Sequence, residues 1–279
     1  MTSYYKLKTS MKKLVTLFFC LMSAGIIYAQ PRATEGRADF QKTQQPAATI
    51  TVPFTDDITE KAIDDYMAKK GLKSSSTGGY KVYRNYKLAE THDHNSDLYF
   101  KVDRKSRSEK DISIIYLLVA KSAEDVKTRK LNDSTGNGLD GATALLDGMV
   151  PSIEAYDLEV KIKDQEAVVK KAQKKYDDLV SDQKDAEKKI RNLEDKQAQN
   201  KKDQERASDD IKKYLNSDDK SMAKAQKKLR NLTDDEAGYD KSLRNTMDKL
   251  EQYKRDQVSQ QDEINKQKDI LATLVARRK

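Results

Sequence analysis

Cysteine is almost absent from this chain of 279 residues: Cys20 is the only one, and it lies inside an N-terminal apolar run. A chain that loses that run has none. Disulfides, thiolate metal sites and cysteine nucleophiles are then excluded. Histidine is nearly as scarce, with only His92 and His94. They stand around Asp93 with Glu90 and Asp97 nearby, the single cluster of metal-ligand character. On a strand they would share a face, but the segment reads as a turn and no spacing supplies a third ligand. An exposed polar turn is therefore expected over a metal site, and no cofactor is expected. Residues 132–141 faintly resemble a calcium loop, yet Ala144 stands where the closing Glu belongs, counting from Asp133. No phosphate-cradling glycine motif and no nucleophile elbow occurs, so no catalytic residue is assigned and no enzyme is expected.

Apolar residues are also few. They make up 36% of the chain, matched by 36% charged residues, at a mean hydropathy of −0.91. That balance is too polar for one large core and suits a long solvated helix. The apolar positions are strongly periodic, which argues against wholesale disorder. The net charge of +8 is partly a terminal effect. Lys6, Lys8, Lys12 and Lys13 precede position 30 with no acids among them, and without them the net charge is +4. The remaining charge is mixed in sign along the chain, whereas a nucleic-acid binder concentrates positive charge on one stripe. Pairs such as Lys170-Lys171 and Lys188-Lys189 are flanked by acids and read as solvated helix faces.

The N-terminus carries an export pattern. Lys12-Lys13 is followed by apolar residues 14–27 and then Tyr28-Ala29-Gln30-Pro31. A basic start, a short apolar run and a small residue before a polar stretch resemble bacterial signal peptides of the general secretory route. Cleavage is expected after Ala29, and Met11 is an alternative start. The run is shorter than the ~20 residues that span a bilayer. Phe19 before Cys20 does not fit a lipoprotein signal. Periplasm is the expected location, with secretion or retention by an uncleaved anchor as alternatives. Membrane contact is expected only transiently, through the signal peptide.

Residues 30–47, rich in Gln, Ala, Thr and Pro, read as a flexible linker. A small α+β domain is expected over 48–121. Residues 49–54 form a short strand with Pro53 at its end, and residues 57–70 a helix with Ile58, Ala62, Ile63, Tyr66 and Met67 on one face and Gly71 as its C-cap. A loop covers 74–79. Three strands follow at 80–88, 98–102 and 112–120, the last the most apolar and so the most central. Tyr80, Val82, Tyr86 and Leu88 are expected on one face. Short polar turns favour antiparallel neighbours. The fold class is thus β-α-β-β-β, an antiparallel sheet with one packed helix, similar in element order to TBP-like and other small α+β folds. Residues 122–150 read as a connector with a short helix near Leu145, and Pro151 as the first-turn proline of a helical region over 151–279.

That region holds the strongest signal. From Ala155 one heptad phase persists for about nine repeats, with Ile162, Val169, Ile190 and Ile211 among its a residues and Leu158, Leu179 and Leu193 among its d residues. A second phase starts at Met222, with Leu229, Leu243, Leu250, Ile264 and Leu271 at a and Ala225, Leu232 and Leu274 at d. The phases break in the polar stretch 216–221. A helix stop with a phase change predicts an antiparallel hairpin. Folding the chain back there faces Ile211 with Ala225, Ala207 with Leu229, Leu193 with Leu243, Ala186 with Leu250, Ala172 with Ile264, and Ile162 with Leu274. Each alanine meets a large side chain, as interlocking volumes require. The seam also carries polar layers, among them Asn200 with Glu236, Gln197 with Tyr239 and Tyr176 with Gln260. These set register, or receive a partner helix. Thr233 to Glu236 and Gly238 suggest a bend or a loosened turn in the second arm.

Read together, these features predict an exported, non-enzymatic envelope protein whose coiled coil serves as spacer or protein-interaction module. Its partner is another protein or a second copy, met through the seam of Ile162, Val169, Leu179, Leu193, Ile211, Leu229, Leu243, Leu250, Ile264 and Leu271, and no nucleic acid is expected. A strand-containing body with helical arms is similar to the Skp-type periplasmic chaperones, which implies holdase activity as an alternative. In that family the arms are inserted within the body, whereas here no strand follows the hairpin. An accessory to a cell-wall enzyme is the third reading.

Overall fold

The computed structural model describes residues 31–88, 95–120, 137–215 and 219–278. The expected signal peptide, with Cys20, falls outside them. So do His92, His94 and most of the polar stretch after Ala120. The chain is an α+β unit followed by a long helical hairpin. Its elements are β1 (Thr34–Phe40), β2 (Thr43–Val52), α1 (Asp56–Lys69), β3 (Ser74–Thr77), β4 (Tyr80–Tyr86), β5 (Ser96–Arg104), β6 (Ser113–Ala120), α2 (Asn137–Tyr214) and α3 (Asp219–Ala276). Two compact units divide at Asp157 and Leu158.

In the first unit the strands form one antiparallel sheet in the order β1-β2-β6-β5-β4-β3. The expected linker is a correction: most of it is β1 and the first half of β2. Gln41 and Lys42 turn the hairpin at φ 47° and 67°, the left-handed pair that a two-residue turn needs. Asn-Gly or Asp-Gly usually marks such a turn, so Gln-Lys gave no cue. Pro46 is tolerated because the β6 pairing of β2 starts only at Ala48, leaving that end of β2 to β1. The expected loop 74–79 is a second correction. Ser74–Thr77 is the edge strand β3, and Gly78 and Gly79 at φ 59° and 83° make a tight turn into β4. The apolar strand β6 is central, as expected, paired to β2 and β5.

Helix α1 follows its local signals. Thr55 accepts a hydrogen bond from the Ile58 amide at 3.3 Å, satisfying one of the open donors of the first turn. Gly71 at φ 79° ends the helix, with the Leu72 amide on the Met67 carbonyl at 3.0 Å. Strand alternation divides the sheet into two faces. Ile50, Val52, Leu98, Phe100, Ile115 and Leu117 point to the face covered by α1, through Ala62, Ile63 and Met67. Val82, Tyr99, Leu118 and Ala120 point to the other. There Phe40 at the end of β1 meets the Tyr80 and Tyr99 rings edge-on at 5.3 and 5.7 Å, and the Tyr80 hydroxyl donates to the Asp39 carbonyl at 2.9 Å. The first strand therefore reaches over β5 and β4, and the sheet curls. Strand β4 does not keep one face throughout. A bulge with Asn85 at φ 60° lies between Tyr83 and Tyr86, so Tyr80 and Val82 face one core while Tyr83, Tyr86 and Leu88 face the other.

The start of α2 overturns a third expectation. The helix begins at Asn137, not Pro151, and Pro151 stands inside it. Ala142, Leu145, Leu146, Met149, Val150 and Ile153 pack into the same core as α1, at the spacing of one helix face. A proline there forfeits a backbone hydrogen bond and costs ~3 kcal/mol. The burial of Met149, Val150 and Ile153 around it offsets that cost. Of the stretch that faintly resembles a calcium loop, residues 132–136 lie outside the described residues, and from Asn137 onward it is helical.

In the second unit α3 runs without a break through Gly238. The Thr233 hydroxyl donates back to the Leu229 carbonyl at 3.0 Å instead of capping a new helix. Nothing lies within 4 Å of a methyl group built on Gly238. Gly238→Ala is therefore expected to stabilise the hairpin by about 0.5–1 kcal/mol, read as a higher urea midpoint of the helical signal.

Candidate functional site

The seam occupies residues 158–214 of α2 and the whole of α3. Every a and d position from Ile162 to Tyr214 and from Met222 to Leu274 is buried or half-buried. Of the residues singled out in the sequence, Ile162, Leu193 and Ile264 are buried. Val169, Leu179, Ile211, Leu229, Leu243, Leu250 and Leu271 are half-buried. Ala186, Ala207 and Ala225 are buried as well, in keeping with their small size opposite large partners.

Hydrogen bonds between the arms report the register. Gln204 at an a position donates to the Leu232 carbonyl at 3.3 Å, and Gln257, also at a, donates to the Leu179 carbonyl at 3.1 Å. Each links an a residue to the d residue it faces. Diagonal contacts flank them symmetrically. Gln204 also reaches Glu236 and Gln257 reaches Gln183, both a to a and both at 2.7 Å. Gln165 reaches Gln267 at 2.7 Å, and Gln260 reaches the Ala172 carbonyl at 3.3 Å, both d to d. These contacts agree with the pairing of Ala172 with Ile264 and Ala186 with Leu250. At the open end Arg278 pairs with Glu159 at 2.6 Å.

Several glutamines of the seam are thus hydrogen-bonded across it. Gln165, Gln204, Gln257 and Gln260 use carbonyls of the opposite helix as acceptors. An unsatisfied amide at such depth would cost about 1–3 kcal/mol. Mid-seam, the Gln204 amide also donates to Asn200 at 2.7 Å, and Gln197 donates to Asp240. Helical carbonyls normally accept from their own chain, so this second use of them had no signature in the residue pattern.

The first unit holds a polar site that the sequence did not disclose. Lys81 on β4 lies between Asp64 at 2.7 Å and Glu60 at 3.2 Å, both on α1. The Tyr83 hydroxyl donates to the same Asp64. Beside them is a cleft of ≈ 250 Å³ lined by Glu60, Tyr80, Lys81, Lys101 and Asp103 among others. Burial pushes the Tyr83 phenol above its usual value, and the Asp64 carboxylate adds to the shift. Burial likewise pushes Tyr80 up to about 12, with Asp103 contributing. For Lys81 burial acts downward, but Asp64 and Glu60 outweigh it and its pKa is raised. All three groups hold their protons more tightly when folded. Their stabilisation is complete below the unfolded values near 10 and is lost as pH rises toward the folded ones. The first unit should therefore melt at lower temperature at about pH 11 than at about pH 9, and Tyr83→Phe should shrink that difference. A Tyr83→Phe chain with an undiminished alkaline loss would contradict the assignment.

Among the described residues no group of three or more His, Cys, Asp or Glu side chains is placed to hold a metal ion. Nor is any described helix long and apolar enough to cross a membrane. No protein-family model, curated protein or solved structure matches the chain. The class is therefore defined by architecture alone: a six-stranded α+β unit joined to an antiparallel coiled-coil hairpin.

Proposed function

We propose that this chain is an exported, non-enzymatic protein of the bacterial cell envelope, in which the hairpin acts as a spacer or protein-interaction arm. The observation that carries the reading is the extent of the seam. From Leu158 onward the 78-residue α2 and the 58-residue α3 devote their heptad positions to each other and present mixed charge outward. An arm of ~60 residues is about 90 Å long, a length suited to bridging and not to enclosing a substrate. The basic and apolar run ending at Ala29 supports export.

Fractionation with mass analysis of the mature N-terminus, together with photo-crosslinking from exposed hairpin positions in intact cells, tests both halves. A periplasmic chain starting at Gln30, with crosslinks to one envelope protein or to a second copy, is expected. A cytoplasmic chain with an intact N-terminus would remove the export half. Crosslinks confined to the first unit would remove the arm.

A further inference from the structure

We propose that the hairpin has a second register, half a heptad from the one described, and that its arms slide between the two. In the described register several layers set a polar side chain against an aliphatic one: Gln165 faces Leu271, Val169 faces Gln267, Leu179 faces Gln257, and Ile190 faces Thr246. Sliding α3 by half a heptad brings a residues opposite a residues and d residues opposite d residues. Val169 then meets Ile264, Ile190 meets Leu243 and Ile162 meets Leu271, while Gln165 meets Gln267 and Gln197 meets Glu236. The slide also has losses: Gln183 comes to face Leu250, Gln204 to face Leu229 and Asn200 to face Leu232, while Ala172, Ala186 and Ala207 exchange their large partners for Gln260, Thr246 and Ala225. Neither arrangement is clearly better matched, so burial alone does not select one strongly.

The hydrogen bonds support the same conclusion. The Gln165–Gln267 contact at 2.7 Å is diagonal now and would become a facing layer after the slide. Gln165, Gln204, Gln257 and Gln260 donate to carbonyls of the opposite helix. Such acceptors recur at every residue, so a slide exchanges one carbonyl for another without orphaning the amide. A seam locked by side-chain pairs alone would lack this freedom. Next to the tip the half-buried Tyr214 would leave Met222, while Leu215, 63% exposed, loses little.

The slide displaces one arm along the other by about 5 Å. A protein that prefers one register at one end of the hairpin would shift the population, and the displacement would be felt at the other end. This inference concerns the hairpin itself and stands whether or not the chain is exported.

The full chain carrying Cys20→Ser provides the test. One variant adds Ile190→Cys with Thr246→Cys, the pair of the described register. The other adds Ile190→Cys with Leu243→Cys, the pair of the slid one. In a glutathione buffer both should close within single molecules, with yields within about tenfold of each other. Spin labels at exposed Lys174 and Lys241, in a Cys20→Ser chain with the seam intact, should show two distance populations about 5 Å apart. A slid-pair yield below about one-hundredth of the other, or a single distance population, would overturn the proposal. The label experiment decides the matter if the seam cysteines disturb folding.

Discussion

Ile264→Ala is expected to destabilise the hairpin by about 2–4 kcal/mol, among the largest single effects available in the second unit. Ile264 is fully buried and fills the layer opposite Ala172. Truncating it leaves two alanines facing each other and a cavity between backbones that cannot close fully. Val258→Ala is the control: Val258 is 66% exposed, and its loss should fall within about 0.5 kcal/mol. The pairing itself is tested by exchange of volumes. Ala172→Ile alone overpacks the layer, whereas Ala172→Ile with Ile264→Ala restores one large and one small side chain. The double variant should recover about 1–3 kcal/mol relative to the two single effects added together. Urea unfolding followed by helical dichroism measures all four variants. Strict additivity would show that these residues do not share a layer.

Leu146→Ala should have an effect of about 2–5 kcal/mol in the first unit. Leu146 is completely buried against the sheet, although it lies beyond the last strand. The consequence extends to the limits of the folding unit. A fragment of residues 31–120 lacks Ala142, Leu145, Leu146, Met149, Val150 and Ile153, and its sheet face is left covered by α1 alone. It is expected not to fold, while residues 31–157 should give a cooperative melt. The near-ultraviolet dichroism of Tyr80, Tyr83 and Tyr99 is a suitable probe, since all three are buried in this unit. A folded 31–120 fragment would show that the start of α2 is an accessory and not part of the core.

These two cases mark how far residue patterns carry. Ile264 and Ala172 were legible as partners because heptad phase and side-chain volume are local properties that add up over many turns. The α1 helix was legible from Thr55, Gly71 and one apolar face. Leu146 was recognised as helical but not as core. A short apolar helix reads the same whether it bridges two units or packs on a sheet, and only the position of the sheet distinguishes them. The β1–β2 hairpin was missed because Gln41 and Lys42 adopt a turn conformation that their side chains do not favour, held by the pairing of the flanking strands.

The functional candidates divide along the same line. The seam residues could be listed from spacing, while the Lys81–Asp64–Tyr83 site could not. Its members are 17 and 19 positions apart and meet only because α1 packs on β5 and β6, within side-chain reach of β4. The acceptors that satisfy the seam glutamines were equally invisible, being backbone carbonyls with no residue identity.

By itself the amino-acid order determined the reversal of the chain, the faces of its helices and the layers along its arms. All of these follow from periodicity within one segment, where each residue's environment depends on neighbours three or four positions away. The curl of the sheet, the fusion of α2 with the first core, and the cross-seam hydrogen bonds of the glutamines were decided only in three dimensions. Each depends on groups brought together from distant segments, and their free energy exists only once those segments have met.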